Sequence, residues 1–308
     1  MRTHNLLIVI GIALFVYILS RVGLRSIAEV MLSADPWYLL LLIPLLAANV
    51  LTKGLKWKEI IRAHSTDYPI LSSCKIFLIG LFTGLVTPAR AGDIIRVFYL
   101  RKSNNISTAK AVSTVFIDRL LDIITLVVLL GISVAVLGTY ISIPLYFSLF
   151  TFLFLIAFFV AMKRGLIEKV LKFLFSLFAP EKYRPALREF YHNAKNSDKG
   201  LILTAFLLGL VTWGLTIGEG YLIVLSLGLK IPISYLALSI PIITIVEILP
   251  ISISGMGTRE ATCIFLFSLI GIKADEAVAF SLLYALLTYW FLGVIGAVLW
   301  VRNPVQFK

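Results

Sequence analysis

The apolar residues of this chain fall into long runs, and no other feature restricts its fold as strongly. A hydrocarbon core about 30 Å thick is crossed by roughly 20 apolar residues in a helix. Six stretches have that character: Asn5 to Ser20, Trp37 to Leu51, Arg119 to Gly138, Ile143 to Met162, Leu201 to Leu227 and Ala277 to Val301. Composition agrees: 60% of the 308 residues are hydrophobic, 14% are charged, and the mean hydropathy is +0.99. A soluble protein is nearer 45–50% apolar and about 25% charged. A soluble enzyme, a disordered tail and a secreted scaffold are thereby excluded. The expected fold is all-α, a polytopic membrane helix bundle forming one integral domain over residues 1–308.

Two further apolar regions do not fit a simple span. Leu71 to Leu100 is interrupted by Thr87-Pro88-Ala89-Arg90-Ala91-Gly92-Asp93, and Tyr235 to Ile270 by the segment Pro250 to Glu260. Each has an apolar half, then Pro, small residues and Gly, then a basic and an acidic residue, then a second apolar half. Pro removes a backbone donor and Gly permits turns that other residues resist. Irregular backbone at membrane depth is tolerated only inside protein or along a wet cavity. Both regions therefore read as re-entrant hairpins or broken helices, giving about eight membrane segments in all. The alternative for each is an ordinary loop at the membrane surface.

Bases favour the cytoplasmic side. Lys53, Lys56, Lys58 and Arg62 follow the second span, Arg101, Lys102 and Lys110 precede the third, and nine Lys and Arg lie between Lys163 and Lys199. The segment from Arg21 to Pro36 balances two bases with two acids. This places both termini in the cytoplasm and makes the net charge of +12 mostly an orientation signal. On that topology two half-repeats emerge, about 37–138 and 201–301, mirrored across the bilayer with one hairpin entering from each side. Inverted repeats with broken helices are a transporter design. Residues 163–200 form a cytoplasmic connector. Its segment Leu166 to Phe178 has helical apolar spacing, with Lys169 and Lys172 on the other face, suited to an anionic leaflet or to packing on the bundle.

Ionisable groups in apolar surroundings are costly and mark functional candidates. Arg90, Asp93 and Arg96 flank the first bend, with Asp93 near the start of a helix, where the dipole favours an acid. Two guanidiniums there match a phosphate; the alternative is an ion pair that pins the bend. Asp118, Arg119 and Asp122 share a helical turn where the third span begins and can complete one charged cluster with Arg90 or Arg96. At the second bend Gly255, Gly257, Arg259 and Glu260 offer glycine N–H groups, a helix start and a guanidinium to an anion. Glu219 and Glu247 are isolated acids in spans, each able to balance an arginine or carry a coupling proton. Glu247 is the better placed to pair with Arg259.

Cys74 and Cys263 lie in apolar stretches and read as packing residues. The three histidines are scattered without metal-ligand spacing, so no metal and no cofactor is expected. No Ser-His-Asp order, nucleotide loop or CxxC is present, nothing points to nucleic acid, and the chain reads as transporter-like rather than as an enzyme.

Together TPARAGDIIR, the downstream FIDRLLD and PISISGMGTRE resemble the flippase-like membrane region of lysylphosphatidylglycerol synthases. The same region occurs in archaeal dolichol-phosphate glycosyltransferases of the AglD type and in stand-alone integral membrane proteins. The resemblance covers nearly the whole chain. It implies about eight membrane segments and a lipid translocator, with roles in the lipid site for Arg90, Asp93, Arg96, Asp118, Arg119, Arg259 and Glu260. An aminoacyl-transfer or glycosyltransferase domain is not part of the sequence, so neither activity is expected of it. The reading is a multi-pass protein of a prokaryotic cell membrane that translocates an anionic phospholipid or a polyprenyl-phosphate head group. Its rival is a non-transporting scaffold or accessory subunit of a lipid or glycan biosynthesis enzyme, bound through residues 163–199.

Overall fold

A computed structural model describes residues 2–64, 66–87, 92–104, 106–140, 197–248, 252 and 254–304. Among the described residues the backbone consists of helices and turns, with no strand. The expected fourth span, almost all of the cytoplasmic connector, and Arg90 lie outside them.

Helix α1 (Arg2–Val22) meets α2 (Leu24–Leu32) at Gly23, where the chain bends by 80°. Gly23 takes φ of 95°, a conformation that favours glycine. The charge-balanced segment from Arg21 to Pro36 thus contains an amphipathic helix, α2, held down where the Ser26 hydroxyl donates to Asp275.

Two long helices run antiparallel through the middle, α3 (Pro36–Arg62) and α7 (Lys199–Ser226). An aspartate caps each. Asp35 accepts from Trp37 N at 2.8 Å, and Asp198 accepts from Gly200 N at 2.8 Å and Leu201 N at 3.1 Å. Each cap is also tied to the far end of the other helix. Asp35 N donates to Ser226 O at 2.7 Å, and Asp198 N donates to Ala63 O at 3.1 Å. Helix α3 continues well past Leu51, so Lys53, Lys56, Lys58 and Arg62 occupy its last turns and not a loop. Trp57, Ile60 and Ile61 bury one face of this extension, and Lys56 is buried with them because carboxylates meet its ammonium.

Around this pair stand α4 (Ile70–Leu85), α5 (Ile95–Asn104), α6 (Thr108–Tyr140), α8 (Ile233–Ile248), α9 (Thr258–Ser268), α10 (Ala274–Tyr284) and α11 (Phe291–Arg302). A π-helical segment, Ala285–Trp290, joins α10 to α11 into one rod of 29 residues. Helix lengths run 27, 16, 10 and 33 from α3 to α6, and 28, 16, 11 and 29 from α7 to α11. Three pairs of starts, Pro36 and Lys199, Ile70 and Ile233, Ile95 and Thr258, are each 163 residues apart. Packing follows the same correspondence: α4 lies on α11 as α8 lies on α6, and α3 meets α4 as α7 meets α8.

Three described helices are long and apolar enough to cross a bilayer, those at Pro36–Arg62, Lys199–Ser226 and Ala274–Arg302, and the bent α1–α2 pair makes a fourth candidate. Helices α4 and α8 are apolar but only 16 residues long, and each stops at one of the two interruptions seen in the sequence. Lipid supplies little hydrophobic drive between helices, so close backbone approach matters more. Gly296 of α11 shows it, because a Cβ there would collide with the Leu78 carbonyl of α4. The larger core cluster, around Ile223, Leu236, Phe267 and Phe280, is built mainly by the C-terminal half and is joined by Ile18, Ile27, Leu42 and Leu46; a smaller one around Trp57, Val97 and Leu100 belongs to the N-terminal half.

Candidate functional site

The first interruption leaves α4 at Leu85, re-forms as a short 3-10 turn over residues 92–94, and starts α5 at Ile95. Its geometry is tight. A Cβ on Gly92 would collide with the Thr83 carbonyl, and Thr87 Oγ1 accepts from Gly92 N at 2.7 Å while donating to Thr83 O at 2.7 Å. This turn delivers Asp93 and Arg96 to α6.

There six charges form a closed, alternating ring. Lys56 Nζ lies 2.9 Å from Asp118 Oδ1; Asp118 Oδ2 lies 2.7 Å from Arg96 Nη1; Arg96 Nη1 lies 3.3 Å from Asp93 Oδ2. Asp93 Oδ2 accepts from Arg119 Nε at 2.8 Å, Arg119 Nη1 lies 3.5 Å from Asp122 Oδ2, and Asp122 returns to Lys56. Three bases and three acids leave the ring neutral. It has a sealed side and an open side: the Arg96 side chain is 0% exposed and Lys56 4%, whereas Arg119 and Asp122 are 40% and 42% exposed. Arg96 also stacks over the Trp57 ring at 4.2 Å, a cation–π contact. Gly80 of α4 makes room for it, since a Cβ there would sit 2.9 Å from Arg96 Cδ.

Arg96 has one further property. Its Nε and Nη2 are buried and have no hydrogen-bond partner. Buried donors are almost always paired, and an orphan donor marks a strained site or one that takes a ligand. The Nε–Nη2 edge of a guanidinium is a fork that fits two oxygens of a phosphate or carboxylate.

The second interruption separates α8 from α9. Gly255 and Gly257 take φ of 77° and 86°, conformations that L side chains rarely adopt. Cβ atoms there would collide with the Glu247 side chain and with the Gly11 carbonyl of α1. Helix α9 then places Arg259 and Glu260 in its first turn. Arg259 Nη2 donates to Glu260 Oε1 at 2.8 Å, Arg259 Nε donates to Ser281 Oγ at 2.9 Å, and Ser281 Oγ donates to Glu260 Oε1 at 2.8 Å. Glu260 Oε2 accepts from Gly257 N at 2.6 Å. The expected open N–H of Gly257 is therefore occupied by the protein's own carboxylate. Arg259 pairs with Glu260, and the Glu247 carboxylate also acts on its charge. Glu247 accepts from Tyr289 Oη at 3.3 Å. The tyrosine reaches it from the π segment, which rotates the following residues relative to a regular helix.

The two interruptions touch. Ser254 Oγ donates to the Leu85 carbonyl at 2.6 Å, so the second bend caps the last turn of α4. Glu219 stands apart from both clusters, buried on α7, and accepts from Asn49 Nδ2 at 2.7 Å.

Of the candidate residues, the fold gathers Asp93, Arg96, Asp118, Arg119 and Asp122 into one cluster and Gly255, Gly257, Arg259 and Glu260 into another. Arg90 lies outside the described residues. Lys56, Trp57, Ser281, Asn49 and Tyr289 were missed. A signal existed for two of them: Asn49, Lys53 and Lys56 are spaced by four and three residues, one helix face, in a segment read as span followed by loop. For Ser281 and Tyr289 no such signal existed, because nothing in an apolar helix singles out one hydroxyl.

Long apolar helices, two of them interrupted at tips that touch and carry buried charge, define a polytopic membrane protein of the broken-helix kind. The sequence matches the lysylphosphatidylglycerol synthase TM region family over residues 5–296, and the chain belongs to that family. It is similar to a UPF0104 membrane protein of Pyrococcus horikoshii, 26% identical over 97% of this chain and 96% of that one. It is also similar to two UPF0104 membrane proteins of Methanocaldococcus jannaschii. One is 25% identical over 99% of this chain and 96% of its own length; the other is 30% identical over 71% and 93%.

Proposed function

We propose that this protein carries the phosphate-bearing head group of a lipid, an anionic phospholipid or a polyprenyl phosphate, across the bilayer by alternating access. One observation carries the reading: the two interruptions touch through Ser254 and Leu85, and each is followed by a helix whose second residue is a buried arginine, Arg96 and Arg259. The shared 163-residue offset relates them, and it also relates Asp118 to Ser281, the α6 and α10 partners of those arginines. With α3 and α7 antiparallel and tied end to end, this supports two half-repeats of opposite orientation, the arrangement that lets one half rock against the other around a central site.

The ring around Arg96 is the head-group site. The phosphate enters at the exposed Arg119–Asp122 edge and takes two oxygens to the free Nε–Nη2 edge of Arg96. Asp93 then releases Arg119, which closes over the phosphate. The ring's acids neutralise its bases in the empty state, so the buried arginine is never left without a counter-charge. The acyl or prenyl tail stays in lipid throughout. The Arg259–Glu260–Ser281 cluster holds the second bend in place, ready to exchange partners when the halves rock. The work is transport and not catalysis. The ring opens to the cytoplasm, with both termini on that side of a prokaryotic cell membrane.

The test is transbilayer movement in proteoliposomes, with fluorescent phosphatidylglycerol and a labelled polyprenyl phosphate in parallel. Wild-type protein is expected to move at least one of them, and Arg96→Lys to lose most of that rate. Rates equal to empty liposomes for both lipids would sink the reading. Equal rates in wild type and Arg96→Lys would remove the ring from it. Co-purification of a lipid-pathway enzyme without lipid movement would favour a scaffold.

A further inference from the structure

A second polar centre lies between the halves, away from both arginines. Glu219 of α7 is 3% exposed. The ring carboxylates Asp93 and Asp118, and Glu260, sit against guanidinium or ammonium groups at hydrogen-bond distance, whereas the partner of Glu219 is the neutral amide of Asn49. Asn49 Nδ2 donates to Glu219 Oε1 at 2.7 Å and to Thr216 Oγ1 at 3.2 Å. Its carbonyl, Oδ1, is buried and has no hydrogen-bond partner.

That orphan acceptor is informative. A carboxylate only accepts hydrogen bonds, while a carboxylic acid also donates one. An amide serves both forms, its NH2 facing the carboxylate and its C=O facing the acid. Asn49 uses only the first here, and the acceptor that a protonated Glu219 needs lies within the same side chain, one amide rotation away. An asparagine kept only to hold a carboxylate would leave a buried carbonyl unmatched at a cost of about 1–3 kcal/mol.

The groups facing Glu219 come from each helix packed against α7. Helix α3 supplies Asn49 and, one turn on, Lys53, which acts on Glu219 electrostatically and lies over the Phe77 ring at 5.4 Å. Helix α10 supplies Tyr284, whose ring packs at Gly220, and the π segment supplies Tyr289. Helix α8 supplies Glu247, which accepts from Tyr289 at 3.3 Å. The α6 charges Asp118, Arg119 and Asp122 are engaged in the ring. Tyr284 and Tyr289 contact each other edge to face, ring centroids 5.6 Å apart. Of these hydroxyls, the one hydrogen-bonded to a buried acid is that of Tyr289, on Glu247.

The 163-residue offset adds a contrast. It pairs Glu219 with Lys56, and pairs the Lys56 partners Asp118 and Asp122 with Ser281 and Ala285. At matched depth one half holds a base locked between two acids, and the other holds an acid held by an amide.

We propose that Glu219 is the proton site that couples the transporter, with Asn49 bonding it in both protonation states. The Glu219 carboxylate takes up one proton to become the acid, and the Asn49 amide turns its carbonyl to accept from it. The coupling half of this proposal rests on the translocation reading; the proton site does not.

Infrared difference spectroscopy of the purified protein reads the site directly, through the C=O stretch of a buried carboxylic acid as pH is stepped. A band that titrates in wild type is expected, lost in Glu219→Gln and shifted in frequency in Asn49→Leu. A band that survives in Glu219→Gln, or none in folded wild type at any pH, overturns the proton site. Coupling is read in liposomes holding fluorescent phosphatidylglycerol: a pH gradient is expected to change the wild-type rate and to lose its effect in Glu219→Gln. Movement indifferent to the gradient overturns the coupling and leaves translocation standing. No movement of phosphatidylglycerol, or of the labelled polyprenyl phosphate run in its place, sinks translocation, and with it the coupling, while the infrared result still decides the proton site.

Discussion

Arg96 and Arg259 occupy the same place in their helices, the second residue after an interruption, and their surroundings differ. Arg96 belongs to a ring whose far edge, Arg119 and Asp122, is 40% and 42% exposed, and two of its own N–H groups are unused. Arg259 is locked to Glu260 and Ser281, both fully buried, and the same Glu260 caps the Gly257 amide. One backbone device therefore yields a site with spare donors and a site that is satisfied. The difference lies in the partner helix, which brings Asp118, Arg119 and Asp122 to one arginine and only Ser281 to the other. A broken helix supplies position; the facing helix decides whether the charge it presents can take a ligand.

The largest effect expected from breaking this contrast is at the closed site. Glu260→Ala removes the carboxylate bonded to the buried Arg259 and leaves Gly257 N without its acceptor, a loss of about 3–5 kcal/mol. It should appear as a collapse of the monodisperse fraction on heating in detergent. If Glu260→Ala unfolds no earlier than Arg119→Ala, the two sites do not differ as described. Next comes Arg96→Lys, which keeps the charge and removes the fork. Charge-assisted hydrogen bonds contribute about 1.5–3 kcal/mol, so binding of anionic lipid should weaken by roughly 10- to 100-fold. Native mass spectrometry with phosphatidylglycerol reads this, and unchanged occupancy would place the lipid elsewhere.

Gly255→Ala probes the second bend itself. It forces a side chain into φ of 77° and against Glu247, at about 1–3 kcal/mol, seen as a lower thermal midpoint. The matched caps sharpen the comparison at the level of the halves. Asp35→Ala and Asp198→Ala are each expected to cost about 1 kcal/mol, and equally, because both cap an equivalent helix and tie down its partner. A cost confined to one cap would count against the correspondence. Smallest is Arg119→Ala, about 0–1 kcal/mol, because its guanidinium is part-exposed and Arg96 still holds Asp93. The residual effect should shrink as salt is raised in the same melting experiment.

Much of this was legible in the chain. The apolar runs defined a helical membrane protein, and the two Pro- and Gly-containing breaks marked where helices stop, because a backbone lacking donors or taking positive φ cannot continue a helix through lipid. The acids and bases at those breaks are conspicuous for the same reason, and a pairing of Arg96 with the Asp118 cluster is one that the sequence allows. The α1–α2 bend was not legible, since one glycine between two helical segments is an ordinary sequence. Nor was the extension of α3 through Lys53, Lys56 and Lys58, where positive charge imitates a cytoplasmic loop until aspartates from another helix are seen to neutralise it.

The sequence by itself determined that this chain lies in a membrane, that its helices break twice, and which charges sit at the breaks. These follow from local chemistry, the cost of exposing backbone and charge to lipid. Only the tertiary structure decided which charges are spent on one another. It closed six of them into a ring, left two N–H groups of Arg96 and the carbonyl of Asn49 unspent, and put Glu260 where Gly257 would otherwise have been open. Pairing of that kind depends on which helix faces which across tens of residues, and no local pattern encodes it.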